Sequence, residues 1–501
     1  MSTQPRDLCH EKSSTFAAAA TATDNADIEM AAGSTPPPEP YSIYTRNEKW
    51  LVVGIVAVAG FYSPLPATIY FPAIPMMSRA FAVSTEDINQ TITAYLVMQG
   101  LSPMLWGPLS DRYGRRPIFL ACLTVLVGAC VGLALCPTDA FWLLIVLRLL
   151  QSGGCASTIA LGAGVTGDIA TPEERGGYFG LFNLGPMLAP SIGPAIAGPL
   201  ADHLGWRSIF WALVVMAVIC FVLIYLFLPE TLRHVVGNGS VPVKGIHKPL
   251  IPLVGRTQKR SSAQPKERKK QSMNPFILFT YPDVALTLVF TGIIYSVNYS
   301  IMATTSSALS FSYPWLSTTF LGLCYLPTGF GMCVGSFLTG KLLDWEYAKI
   351  QTQRDTANDT GPFPKELSRL RTMPIHLVVL IIAEICWGIC IAKTAPLALP
   401  LVLQAIIGWA GMAILNTTMT LMIDILQSRS SGATACTNFV RCSLGAIVVA
   451  LTDRMTSRLT YTWTYVLLGG ICSLCLPLMY VEMKKGPEWR LNREKLEAEA
   501  A

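Results

Sequence analysis

Apolar runs of about 20 residues, separated by short polar segments, recur along the whole chain. As a helix, each is long enough to cross a hydrocarbon core of about 30 Å. The pattern predicts helices near residues 50–73, 88–109, 117–136, 140–168, 174–201 and 206–228. A second six are expected near 283–309, 317–343, 374–392, 397–425, 431–452 and 461–481. Residues 1–49 are rich in Ala, Ser, Thr and Pro, with Pro36, Pro37 and Pro38 in a row and no apolar run suited to a signal peptide. They are expected to form a disordered cytosolic tail. The polar stretch 229–282 carries ten Lys or Arg and reads as a linker between an N-terminal bundle, 50–228, and a C-terminal bundle, 283–481. Residues 482–501 read as a cytosolic tail.

Composition supports the same picture, since 52% of the 501 residues are hydrophobic and 14% charged, against roughly 25% charged in soluble domains. The fold class is therefore all-α integral membrane, with twelve transmembrane helices in two six-helix bundles. The net charge of +6 does not point to nucleic acid, because the basic residues sit in short loops between apolar runs. With both termini inside, 29 of the 37 Lys and Arg are cytosolic and five (Arg79, Arg207, Lys393, Arg454, Arg458) are external. Three more, Arg148, Lys341 and Arg441, lie within helices. That bias sets the orientation, and it places the sequons at Asn298 and Asn416 inside helices, out of reach of glycosylation.

Enzyme chemistry finds no support. No nucleophile, base and orienting acid converge by sequence, and no G-x-x-x-x-G-K-[ST] loop is present. The five histidines are scattered without metal-ligand spacing, so neither metal nor cofactor is expected. Of fourteen cysteines only Cys9 lies outside the predicted spans or their edges, which argues against a disulfide framework. The pair Cys472 and Cys475 reads as filler in an apolar helix.

The halves echo one another. Gly107-Pro-Leu-Ser-Asp111 after helix 2 returns as Gly340-Lys-Leu-Leu-Asp344 after helix 8. Asp168 precedes Gly176 by eight residues, as Asp424 precedes Gly432. Repeated bundles with a site at their midplane interface are how many secondary transporters are built.

Gly107-Pro-Leu-Ser-Asp111-Arg112-Tyr-Gly114-Arg115-Arg116-Pro117 is expected in a tight loop between helices 2 and 3. It resembles the signature loop of the major facilitator superfamily. Gly107 and Gly114 would permit close backbone approach, and Asp111 would favour a helix N-terminus. Arg148-Leu-Leu-Gln151-Ser-Gly-Gly resembles the family's second motif. Gly185-Pro186, Pro190, Gly193-Pro194 and Gly198-Pro199 resemble the helix 5 motif of its drug:proton antiporters, with Ala189 where glycine is frequent. The resemblance covers about residues 45–490 and is to the fungal twelve-helix drug:proton antiporter group. Leu228-Pro-Glu230-Thr-Leu-Arg233 and Asn438-Phe-Val-Arg441-Cys-Ser-Leu-Gly445 are similar to the branch of citrate exporters and quinidine-resistance transporters.

What the resemblance implies is the major facilitator fold and a plasma-membrane exporter whose partners are a small molecule, protons and the bilayer, acting as a monomer. The gating set it implies is Gly107, Asp111, Arg112, Gly114, Arg115, Asp168, Arg175 and Asp344. An arginine in a span is functional unless it faces a partner, so Arg148, Gln151 and Arg441 are the expected substrate contacts. Two fixed cations favour export of a carboxylate. The rival reading is drug or secondary-metabolite efflux. Arg148 and Glu384, a carboxylate near the middle of helix 9, are the candidates for proton coupling, Glu384 having a lipid-side or packing role as its alternative.

Overall fold

The computed structural model describes residues 41–171, 174–243, 245–254, 275–357, 363–426 and 430–499. Twelve long helical rods run through residues 43–499. They are α1 (Arg46–Phe81), α2 (Thr85–Tyr113), α3 (Arg115–Leu135), α4 (Phe141–Ile169), α5 (Arg175–Leu204) and α6 (Arg207–Phe227). The second six are α7 (Pro282–Ser312), α8 (Thr318–Ala357), α9 (Met373–Ala392), α10 (Ala398–Ile425), α11 (430–459) and α12 (461–499). Among the described residues nine helical stretches are long and apolar enough to cross a membrane. The last of these, Gly432–Leu496, holds α11 and α12 together; α2, with Asn89, Gln90 and Gln99, and α5, with its Gly and Pro, fall below that hydropathy.

Local chemistry sets most helix boundaries. Thr45 and Ser84 form capping boxes with Glu48 and Asp87, satisfying the first free amides of α1 and α2. Gly114, at φ 105°, ends α2 and starts α3 in a single residue. Thr460, at φ 69°, separates α11 from α12. Four spans are interrupted: α1 at Tyr62–Pro64 and again around Tyr70, α4 at Ala156–Ser157, α8 near Cys324 and α12 at Leu474.

Several expected boundaries move. The residues Gly107–Tyr113, expected in a loop, are the last turns of α2. A proline inside a helix is tolerated when neighbouring groups take over the freed carbonyl, as at Pro103 of α2, whose missing N–H leaves Gln99 O to accept from Asn438 Nδ2 at 3.0 Å. The expected N-terminal tail is ordered from Ile43, which is buried; residues 1–40 lie outside the described residues. α8 runs on to Ala357, and residues 482–499, expected as a tail, continue α12. Of the linker, 255–274 lies outside the described residues, but its start is folded against α3.

Buried apolar residues gather in two clusters. One extends from Val52 to Leu228 and takes in Tyr299, Met302, Tyr325, Ala446 and Val449; the other extends from Leu278 to Met479. Between them α2 packs on α11 and α5 on α8. The Glu86 end of the bundle holds the starts of α2 and α8; the Gly114 end holds the ends of α2, α4 and α10.

Candidate functional site

Gly114 allows the first ion-pair cluster. A Cβ there would lie 2.4 Å from Glu230 Oε2, so only glycine lets that carboxylate reach the turn. Glu230 follows α6 and is buried, accepting from the amides of Arg115 (2.8 Å), Arg116 (3.3 Å), Thr231 (3.0 Å) and Leu232 (3.0 Å). His247 Nδ1 lies 3.2 Å away. Arg115 bridges Asp111 at 2.9 Å and Asp168, at the end of α4, at 3.2 Å. Arg116 is buried and donates to Tyr225 O at 2.6 Å and to Ile246 O.

Not all the expected gating residues join this cluster. Arg112 is exposed beside the Tyr113 ring, and the space next to Gly107 is open, so no close approach occurs there. The Arg175 side chain lies outside the described residues. Asp344 is exposed in α8. Two residues further on, Glu346 is buried and pairs with Arg371 at 3.5 Å, while Arg369 reaches Asp424 at 2.8 Å. The echo between the halves is thus structural at Asp168 and Asp424, each at the end of an even-numbered helix and each held by an arginine. The residues that complete the second cluster stand in the short helix Lys365–Leu370 and just after it.

That helix is tied to the end of α12. Arg490 pairs with Glu366 at 2.7 Å, and Arg493 with Asp283, at the start of α7, at 2.6 Å; both pairs are buried. Arg493 also donates to Ile425 O at 3.3 Å.

At the middle of the bundle Arg148 is buried, its guanidinium between the rings of Tyr70 (4.2 Å) and Tyr95 (4.6 Å). The kink in α1 exposes the carbonyl of Pro66, to which Nη1 donates at 2.8 Å. Nε and Nη2 have no hydrogen-bond partner. Gln151 lies on the same helix face, as expected, but its amide is committed: Oε1 accepts from Arg148 at 2.5 Å and Nε2 donates to Cys130 Sγ at 3.1 Å. It positions Arg148, with one of its two Nε2 hydrogens taken by Cys130.

Arg441 stands over the Tyr295 ring at 4.6 Å, with Nη2 donating to Asn438 at 3.1 Å and Nε unpartnered. Asn438 in turn donates to Gln99 O of α2 at 3.0 Å. Tyrosines join the two arginines: Tyr295 and Tyr299 are 5.6 Å apart on α7, and Tyr299 meets Phe71, beside Tyr70 on α1, at 6.3 Å. The Tyr299 hydroxyl is buried with no partner. Aromatic residues at i and i+4 are the sequence signal that marks this α7 face.

Glu384 does not face lipid. It is fully buried in α9, both carboxylate oxygens lack a hydrogen-bond partner, and it lies within electrostatic reach of Tyr465 and Cys472 of α12. On α5, Gly185 packs on Ala57 O, Gly193 on Leu65 and Ile69, and Gly198 on Thr318 O and Thr319 O. Its small residues therefore touch α1 on one side and α8 on the other. Pro186, Pro190, Pro194 and Pro199 all lie within the helix.

Residues 56–448 match the family profile described as Major Facilitator Superfamily. The chain is 36% identical over 475 residues to "Citrate exporter 1" of Aspergillus niger, covering 91% of this chain and 89% of that protein. It is 31% identical over 506 residues to "Multidrug transporter AQR1" of Candida glabrata, covering 98% and 84%. Among solved structures, a D-xylose-proton symporter superposes with a TM-score of 0.64 at 13% identity, over 86% of this chain and 97% of that one.

Proposed function

Because the chain belongs to the Major Facilitator Superfamily, as a multi-pass secondary transporter and not an enzyme, we propose that it is a proton-coupled exporter of small organic acids of the citrate class. The observation that carries this reading is the pair Arg148 and Arg441, one in each half. Each guanidinium has a face covered by tyrosine and N–H groups left over. A guanidinium edge matches a carboxylate, and such charge-assisted pairs are about twice as strong as neutral ones. A ligand with two carboxylates touching both arginines would bridge the halves, as alternating access requires. The relative named as a citrate exporter supports the same class.

The bundles 50–228 and 283–481 then act as the two rocking bodies, and α5, packed on both, is the seam they move along. The clusters at Arg115–Asp168 and Arg369–Asp424 hold the Gly114 end, which faces the cytosol of a plasma-membrane protein. An impermeant thiol reagent on intact cells, with native thiols replaced, should label a cysteine placed at Ser457 and miss one at Ser262; the reverse would overturn the orientation.

A second reading, drug efflux, draws on the aromatic lining of Tyr70, Tyr95, Tyr295 and Tyr299 and on the relative named as a multidrug transporter. Flux of labelled citrate, itaconate and a cationic dye in vesicles separates the two. Carboxylate flux should persist without ATP under an imposed proton gradient and stop with a protonophore. Arg441→Lys should lose most of it at unchanged protein level, because lysine cannot make the bidentate contact. Dye efflux surviving in Arg441→Ala, with no carboxylate flux in the parent chain, would favour the second reading.

A further inference from the structure

At the Glu86 end the halves meet through side chains of α2 and α11. Asn89 Nδ2 donates to Asp453 Oδ2 at 2.5 Å, and one turn closer to the surface Arg454 pairs with Glu86 at 2.6 Å. The second pair is neutral by itself, so it leaves Asp453 without a cation. Among the described residues Asp453 has no ion pair. The groups facing it from the helices packed around α11 do not supply one. From α12 come Tyr461 and Tyr465, both within electrostatic reach. From α7 comes the Ser300 hydroxyl, bonded at 2.6 Å to Thr452 next door. From α2 comes Glu86, itself acidic; Glu384 of α9 lies within reach of Tyr465, not of Asp453. Asn89 is buried, and its Oδ1, an acceptor, has no donor.

We propose that Asp453 is the proton acceptor of the outer gate, so that the halves close at the Glu86 end only when Asp453 carries a proton from the external side. This rests on the proton-coupled reading above and adds to it a gate set by external protons. Asp453 is half-buried; ionised against a buried carboxamide and two tyrosines it would keep its charge without a counter-ion, at a cost that grows with its burial. A protonated one can donate O–H to Asn89 Oδ1 while Nδ2–H donates to its other oxygen, closing a two-bond pair that uses every group present. When the gate opens, Asp453 separates from Asn89 and meets the external medium. After export, an external proton adds to the carboxylate and permits closure and return; the same proton goes back to the external medium when the gate next opens.

The test compares Asp453→Asn with the parent chain in right-side-out vesicles. Two rates are read: net efflux as a function of external pH, and exchange of labelled for unlabelled substrate. The parent should gain about fivefold or more in net efflux between about pH 7.5 and about pH 5.5 outside. Asp453→Asn, a permanently neutral mimic, should be flat across that window and retain exchange, while Asp453→Glu should restore the slope. A slope retained in Asp453→Asn overturns the assignment and leaves coupling elsewhere. Loss of exchange as well as slope overturns it too, since the position would then be structural. A parent chain indifferent to external pH overturns both the assignment and the coupled reading.

Discussion

Arg369 reaches Asp424 through Nε at 2.8 Å, as Arg115 reaches Asp168 through Nε at 3.2 Å in the other half. The two pairs hold the ends of α10 and α4 to the segments beside them. If they are the inner latches, breaking either should favour an open Gly114 end. All four side chains are partly or mostly covered, so each pair falls between exposed and buried limits, about 1–3 kcal/mol. Asp424→Asn should increase thiol labelling at that end and slow net export. The charge swap Arg369→Asp with Asp424→Arg should recover part of the loss, and no recovery would mean the pair is not the latch.

Glu230→Gln tests the hub behind Gly114. The carboxylate accepts four amides, and an amide side chain would turn an N–H toward N–H donors. Loss of charge-assisted bonds in a buried site should cost about 2–3 kcal/mol. The expected outcome is a lower unfolding temperature in detergent, with substrate affinity unchanged. An affinity loss without destabilisation would place Glu230 in a different role.

The buried Tyr299 hydroxyl has no protein partner between the two arginines. In Tyr299→Phe no protein hydrogen bond is broken, so thermal stability should hold or rise slightly. If that hydroxyl binds substrate, KM should rise about tenfold, the worth of one hydrogen bond to a charged group. An unchanged KM would remove the residue from the site.

The end of α12 should be needed for folding. Arg490→Ala leaves Glu366 buried without its cation, and Arg493→Ala does the same to Asp283. Each should destabilise by about 3–5 kcal/mol, because an uncompensated buried charge remains. Replacing both members of the Arg490–Glu366 pair with apolar residues should recover much of this. Expression level and unfolding temperature are the measurements.

Three residues show where chemistry local to the chain stops short. Gln151 stands one turn after Arg148, but spacing along a helix says only that two side chains share a face. Cys130, which takes its amide N–H, comes from α3. Glu384 was legible as an intramembrane carboxylate, and its surroundings were not, because which side of α9 meets α12 depends on packing between helices. Asp453 escaped notice because it stands just beyond the expected end of helix 11; its significance comes from Asn89, 364 positions away.

The sequence alone determined the twelve rods, the paired halves, the membrane setting and the glycines and prolines that bend or join helices. Each follows from chemistry local to the chain: apolar runs of bilayer length, capping boxes at Thr45 and Ser84, a positive φ that glycine accepts at Gly114. Only the tertiary structure decided which charged groups are paired. Ion pairs and ring contacts act over a few ångströms, and residues as distant as Arg493 and Asp283, or Tyr299 and Phe71, come within that range only when the helices have packed.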